Sequence, residues 1–351
     1  MTPRFAAAGL IGFATDALVR AGMEPPKAAA VADVLVEGDL LGHTTHGLQL
    51  LPLYLDEVAA GQMAVSGQPA VIADHPAAVT WDGRRLPGQW LTLEAIALAS
   101  SRAKTVGACT VVIRRSHHIG CLAAYVQRVT DQGLVLLLAC SDPSGTAVAP
   151  HGGYRGAYTP NPLAAGWPTD GDPVMLDVSQ SITTNLMTRR LRAEGRRFPG
   201  QWAVDNAGVP TDDPEALFST PPGALLPMGG VDHGHKGYAL GLLVEALTGG
   251  LAGHGRADAR EGWTSTTFLQ VFDPALFGGA GDFTRQTGWL ARTCRESPPR
   301  AGFDRVRLPG EQGLRRREAQ LRDGLELHPD ILPALRTWAQ TLGVPLPDPI
   351  V

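Results

Sequence analysis

Apolar positions in the first sixty residues recur with helical spacing. Leu10, Phe13, Leu18 and Val19 share one face, and Glu24-Pro25-Pro26 marks a new helix start, because proline fits a first helical turn. Residues 28–41 and 50–60 predict two more helices. From residue 70 the pattern changes. Short β-rich runs at 70–73 and 78–81 flank an Asp-His-Pro turn, and a helix is predicted over 90–103. A strand over 108–113, a helix over 122–131 and a strand over 134–139 follow. Residues 141–172 read as one long loop rich in Gly, Pro, Ser and Asn, and loops of that length in compact proteins usually serve function. Then come a strand at 174–178, a helix at 183–194, a glycine-rich turn ending at Lys236 and an apolar helix over 238–251. Residues 253–302 are mixed, and 311–343 are mostly helical. No internal repeat or low-complexity tract occurs. The pattern predicts a mixed α/β protein of two parts. One is mainly helical and built from both ends, 1–68 with 225–351; the other is an α/β part, 69–224.

Composition narrows the class. The 351 residues are 44 % hydrophobic and 18 % charged, which fits a packed globular chain. A net charge of −4 gives no nucleic-acid footprint. The basic runs at 189–192 and 315–317 lack interleaved aromatics and read as solvated helix faces. Cys109, Cys121, Cys140 and Cys294 show no CxxC spacing, so free thiols in a reducing compartment are the economical reading. No apolar run reaches the roughly 20 residues of a membrane span. Residues 5–20 read as an amphipathic helix rather than a signal peptide. A cytoplasmic location is the expectation.

The candidate chemistry is in histidines and glycines. Around Lys236, glycines let the backbone approach a ligand, and a helix start offers free N–H groups to an anion. The rival reading is a plain helix-start turn with a solvated lysine. A P-loop is excluded: His235 stands at the lysine position and Lys236 at the Ser/Thr position. No GxGxxG follows a strand, so a Rossmann fold is not supported. Histidines cluster at His43 and His46, at His117 and His118, and at His233 and His235, each beside glycine. His118 follows a predicted buried strand, a common place for a proton-transfer group. His43 and His46, three residues apart, could share a helix face and hold a metal. No third ligand stands at a diagnostic spacing, so no metal is assigned; a metal-dependent hydrolase on this pair is kept as an alternative.

Taken in order, the motifs resemble the type 2 malate/L-lactate dehydrogenase family, which includes sulfolactate and ureidoglycolate dehydrogenases and cyclic-imine reductases. The resemblance covers nearly the whole chain. It rests on the 39–47 segment with Tyr54, on 116–120 around His118, on 161–169 and 176–179, on 202–205 with Gly208 and the Asp213-Pro214 pair, on 235–237 and on 309–311. It implies a non-Rossmann fold, usually in a homodimer, and hydride transfer between NAD or NADP and a small 2-hydroxy or 2-oxo acid. His118 would be the acid/base, with His46 and Asp205 beside it. Thr45 and Tyr54 would touch substrate. Cofactor contacts would map onto Ser144, Leu176, Asp177, Val178, Ser179, His235, Lys236, Gly310 and Glu311. Reduction of a cyclic imino acid is the alternative within the family, and a binding protein without activity is another. One departure stands out. Leu50 occupies the position where the family carries a carboxylate-binding arginine, and leucine has no such fork. Arg115, or its neighbour Arg114, is the sequence candidate for the missing cation, with a surface arginine pair as the rival reading.

Overall fold

The computed structural model describes residues 3–259 and 262–350. Its strands are β1 (Arg4–Phe5), β2 (Ala70–His75), β3 (Ala78–Asp82), β4 (Ala108–Ser116), β5 (Val135–Ser141), β6 (Leu163–Trp167), β7 (Val174–Val178), β8 (Ala203–Val204), β9 (Pro210–Thr211), β10 (Ala224–Leu225), β11 (Ser265–Phe272) and β12 (Leu325–Glu326). Its α-helices are α1 (Ala7–Arg20), α2 (Pro25–Leu41), α3 (Leu51–Ala59), α4 (Gly88–Val106), α5 (Ala123–Thr130), α6 (Asn185–Ala193), α7 (Gly230–Glu245), α8 (Ala280–Glu296), α9 (Glu311–Asp323) and α10 (Ile331–Leu342).

The main sheet has seven strands in the order β2-β3-β4-β11-β5-β6-β7. Only β3 and β4 run parallel; the other neighbours are antiparallel. The fold is therefore mixed α/β and unlike a doubly wound parallel sheet, as expected. Alternation along β4 sends Val111 and Ile113 to one face, where they pack with Leu91, Ile96 and Val126 of α4 and α5. Val112 points to the other face, against Val244 at the end of α7. A second core joins the chain ends. Phe5, Leu10 and Leu35 pack there with Leu325, Ile331 and Leu335, while β1 pairs with β12.

Three elements depart from the sequence pattern. β11 comes from the segment assigned with the helical part, yet lies at the centre of the sheet between β4 and β5. It is covered on both faces, with Thr266 and Thr267 fully buried, so no polar-apolar alternation marks it. β6 sits inside the predicted long loop. Its Ala and Gly residues carry little strand propensity, and Gly166 lies where a Cβ would come within 2.1 Å of Val126.

The third departure concerns Lys236. The glycine-rich run is no turn: it forms the first two turns of α7, so His233, His235 and Lys236 lie within the helix. Glycines form its inward face. A Cβ on Gly237 would lie 2.5 Å from the Met228 backbone, and one on Gly241 would lie 2.7 Å from the Tyr158 ring. The apolar side chains point outward instead, leaving Leu240, Leu242 and Leu243 each at least 40 % exposed. No helix among the described residues is long and apolar enough to cross a membrane.

Candidate active site

Strand β4 ends at Ser116, and the next two histidines leave the sheet in different directions. His117 is fully buried, with Nε2 3.3 Å from Glu57 Oε2. Burial, then the Arg85 charge, push its value down to about 3, so it is a neutral core histidine. His118 turns toward a cavity. The first residue of α4, Gly88, sits against this bend, and a Cβ there would lie 2.2 Å from the His117 carbonyl oxygen and 2.6 Å from that of His118.

Among the described residues, the hydrogen bonds to the ring of His118 all fall on its Nδ1 side. Gln89 Nε2 donates to Tyr54 Oη at 2.8 Å, and Tyr54 Oη lies 2.7 Å from His118 Nδ1. The Gly120 N–H also donates to Nδ1, at 3.3 Å. With the Gln89 amide donating to it, the tyrosine oxygen can either give its own proton to Nδ1 or accept an Nδ1–H on its second lone pair. When Tyr54 donates to Nδ1, the neutral ring carries its proton on Nε2; when Nδ1–H donates to the Tyr54 oxygen, the Nε2 lone pair is free to act as a base. The Trp263 ring lies against His118, centroids 4.8 Å apart. Burial, then the neighbouring His46 and His117, hold His118 well below its ordinary value of 6.5.

The first histidine motif is a loop, not a helix face. Gly42 takes a left-handed conformation and ends α2, so His43 and His46 lie beyond it. Asp39, buried near the end of α2, ties the loop down by accepting the Leu48 N–H at 2.7 Å. Thr45 Oγ1 and His46 Nδ1 are 2.9 Å apart, and the His46 ring is centred 5.9 Å from that of His118. Burial is the main cause lowering His46 to about 4; Asp177 opposes it, and His43 and Arg190 add to it.

These groups line a cavity of about 720 Å³. Of the sequence candidates, His118, His46, Thr45, Asp177 and Ser179 reach it. Tyr54 reaches it through His118, while Leu176 and Val178 flank Asp177 on β7. The Asp177 carboxylate accepts the Ala123 N–H at 2.9 Å, so it also caps α5. Its second contact is the Cys121 thiol, which donates at 3.7 Å.

The other candidates lie elsewhere. Arg115 does not face the cavity. It shares buried Asp82 with Arg114, at 3.0 and 3.1 Å, so the pair serves an internal carboxylate. Burial alone would raise Asp82, but the Arg84 N–H and then the two guanidiniums hold it below the usual carboxylate value. Asp205 accepts the Ala207 and Val209 N–H groups at 2.8 and 2.9 Å, the bonds of an Asx turn between β8 and β9. Ser144 Oγ donates to the Gly262 carbonyl at 2.5 Å. Glu311 is buried at the start of α9 and ringed by Arg295, Arg305 and Arg315. Beside it, the Pro309 carbonyl before Gly310 accepts the Met175 N–H at 3.1 Å, clasping β7. His235 faces His151 and His233, and Lys236 is exposed; neither lines the cavity.

Sequence reasoning missed Gln89, Trp263, Asp142 and Arg189. Gln89 completes the His118 chain, and the other three line the cavity. None stands in a histidine or glycine motif, so only the fold reveals them. Among the described residues, the one group able to hold a metal is His43, Cys121 and Asp177, with ligand atoms within 4.8 Å of one another. It uses His43 but not His46, so the pair proposed from spacing does not form a shared site.

A malate/L-lactate dehydrogenase family model matches residues 5–336. The chain belongs to the malate/L-lactate dehydrogenase family. An L-lactate dehydrogenase of Cupriavidus necator is 34 % identical over 324 residues, covering 90 % of this chain and 91 % of that protein. The crystal structure of malate dehydrogenase from Entamoeba histolytica superposes with a TM-score of 0.91 at 25 % identity, over 99 % of this chain and 100 % of that one. A Δ1-piperideine-2-carboxylate reductase from Pseudomonas syringae superposes with a TM-score of 0.84 at 29 % identity, over 96 % of this chain and 100 % of that one. Both the resemblance and the fold class read from the sequence are borne out, and the chain belongs among dehydrogenases and reductases.

Proposed function

We propose that the protein moves a hydride between NAD or NADP and a small 2-hydroxy or 2-oxo acid, with His118 as the acid/base. The observation that carries the reading is the one-sided hold on His118. Nδ1 takes the Tyr54 and Gly120 hydrogen bonds, which leaves Nε2 for a substrate oxygen. In oxidation, the ring with its proton on Nδ1 takes the hydroxyl proton on Nε2 and becomes an imidazolium; in reduction, the imidazolium gives that Nε2 proton to the developing alkoxide and returns to the neutral ring. Trp263 and His118 form an aromatic wall of the cavity, while Asp177 and Ser179 offer polar groups. That combination fits a flat amide-bearing ring, and the volume leaves room for a small acid. A bound nicotinamide supplies or accepts the hydride. His46, with Thr45 beside it, stands on the substrate side and remains uncharged at neutral pH.

The family-derived cofactor positions at Ser144, His235, Lys236, Gly310 and Glu311 and the role of Asp205 belong to this proposal. A fluorescence titration with NADH and NADPH tests them: Lys236→Ala should weaken binding, and unaltered binding removes that assignment. A panel of 2-oxo acids and cyclic imines should then give turnover that His118→Ala abolishes. Similarity to the piperideine-2-carboxylate reductase supports imine reduction as the second reading, and the same panel separates the two. Stoichiometric zinc with hydrolase activity and no nicotinamide turnover would favour the metal-dependent alternative.

We also propose a homodimer in the cytoplasm. The outward leucines of α7 support the first, since an apolar face of this kind is normally covered. The free cysteines support the second. A monomeric mass in solution would refute the dimer.

A further inference from the structure

We infer that Arg189 receives the substrate carboxylate, taking the role for which Leu50 is unsuited. The inference rests on the proposed 2-oxo acid chemistry and names the residue that selects for it. Leu50 is fully buried in the core joining the chain ends, so its side chain does not reach the cavity. Arg114 and Arg115 are engaged with Asp82. Arg190 is also engaged: it donates to Thr44 Oγ1 at 2.9 Å and to Gln49 Oε1. Arg189 is the one Lys or Arg among the described residues lining the cavity that holds His46 and His118. It makes no hydrogen bond or ion pair among the described residues, so its planar fork is available for two parallel bonds to a carboxylate.

Two further observations fit this role. The Arg190 bonds fix α6 against the first histidine loop, so Arg189 is carried on a helix pinned to the substrate side. The cavity also contains two acids, Asp142 and Asp177. Asp177 is partly compensated by the Ala123 N–H, and Asp142 by the Ser144 N–H at 2.8 Å. An anionic substrate entering between them needs a cation, and Arg189 is placed to supply it.

The test compares wild type, Arg189→Ala and Arg189→Lys by steady-state kinetics with a 2-oxo acid and by calorimetric binding of oxamate, with and without NADH. Arg189→Ala should raise KM for the acid about 10²-fold, leave kcat within a few-fold and abolish oxamate binding. Arg189→Lys should recover part of the loss. Arg192→Ala on the same helix, whose side chain pairs with Glu215, should match wild type. Unchanged KM and unchanged oxamate binding in Arg189→Ala overturn the inference. So does a KM rise that appears in Arg115→Ala instead, or a weaker NADH affinity with oxamate binding intact, which would make Arg189 a cofactor contact. If wild type reduces no 2-oxo acid, the proposed reaction fails. Oxamate binding then still decides the carboxylate role: loss in Arg189→Ala supports it, and no binding to wild type overturns it.

Discussion

Tyr54 Oη lies 2.7 Å from His118 Nδ1, and the two residues come from α3 and from the bend after β4, 64 positions apart. The tyrosine is fully buried, with Gln89 at its back. Burial is the main influence on the phenol and pushes its value well up, so it stays a neutral phenol and serves as a fixed hydrogen-bond partner of Nδ1. Tyr54→Phe removes the stronger of the two bonds at Nδ1 and leaves the 3.3 Å contact from Gly120. The ring is then free to turn and to change tautomer. A loss of about 10²-fold in kcat with little change in cofactor affinity is expected, measured by steady-state kinetics and NADH titration. A Tyr54→Phe enzyme with wild-type kcat would show that the bond does not position the base.

The pH profile should report how far His118 is depressed. Oxidation needs the neutral ring, and burial, His46 and His117 together hold the folded value well below 6.5. The fraction in the base form is therefore already complete at neutral pH. The kcat/KM for oxidation should stay level as pH falls through 6.5 and decline only below it. An acid limb at or above 6.5 would contradict this environment for the base. His46→Asn, which removes one of the lowering influences, should move the limb upward.

The elements that create this site were legible in unequal measure. The helices of the N-terminal part follow from the helical spacing of their apolar residues, and β4 from its continuous β-branched run, buried on both faces. β11 did not, since its buried start is the polar run Ser265-Thr266-Thr267, which shows neither an apolar run nor alternation. The α7 helix was misread for a related reason. Its glycines face the protein and its leucines face out, which inverts the usual rule that apolar side chains mark the inner face. His118, His46 and Tyr54 were found through motifs. Gln89, Trp263 and Arg189 act through positions that only the fold brings together. Arg115, the sequence candidate for the missing cation, is held instead by an internal acid, Asp82.

Gly88 offers a test of how tightly the histidine bend is built. Its missing Cβ would fall within 2.2 Å of one carbonyl oxygen and 2.6 Å of the next, and backbone cannot yield as a side chain can. Gly88→Ala should force the start of α4 away from His117 and His118. A loss of about 1–3 kcal/mol in stability is expected, together with a fall in kcat. Gly12 in α1 is the matched control, since nothing lies within 4 Å of its added Cβ. Gly12→Ala should stabilise by roughly 0.5–1 kcal/mol. Denaturant midpoints for the two variants should move in opposite directions.

Asp39 links stability to pH. Burial raises its carboxyl from 3.8 to about 7, against the Leu48 N–H and the Arg190 charge, which both lower it. Below about pH 4 the group is protonated in folded and unfolded chains alike and adds no penalty. Between that point and pH 7 the unfolded chain gives up its proton while the folded one keeps it. The folded state then binds more protons, so stability falls as pH rises, by up to roughly 4 kcal/mol once the pH exceeds 7. Asp39→Asn keeps an acceptor for the Leu48 N–H and cannot ionise. Its melting temperature should vary less between pH 5 and pH 8 than that of the wild type, and should exceed it at pH 8. A variant with the same pH slope as wild type would show that Asp39 does not carry this linkage. Loss of stability at both pH values would mean that the carboxylate, rather than its neutral form, holds the histidine loop in place.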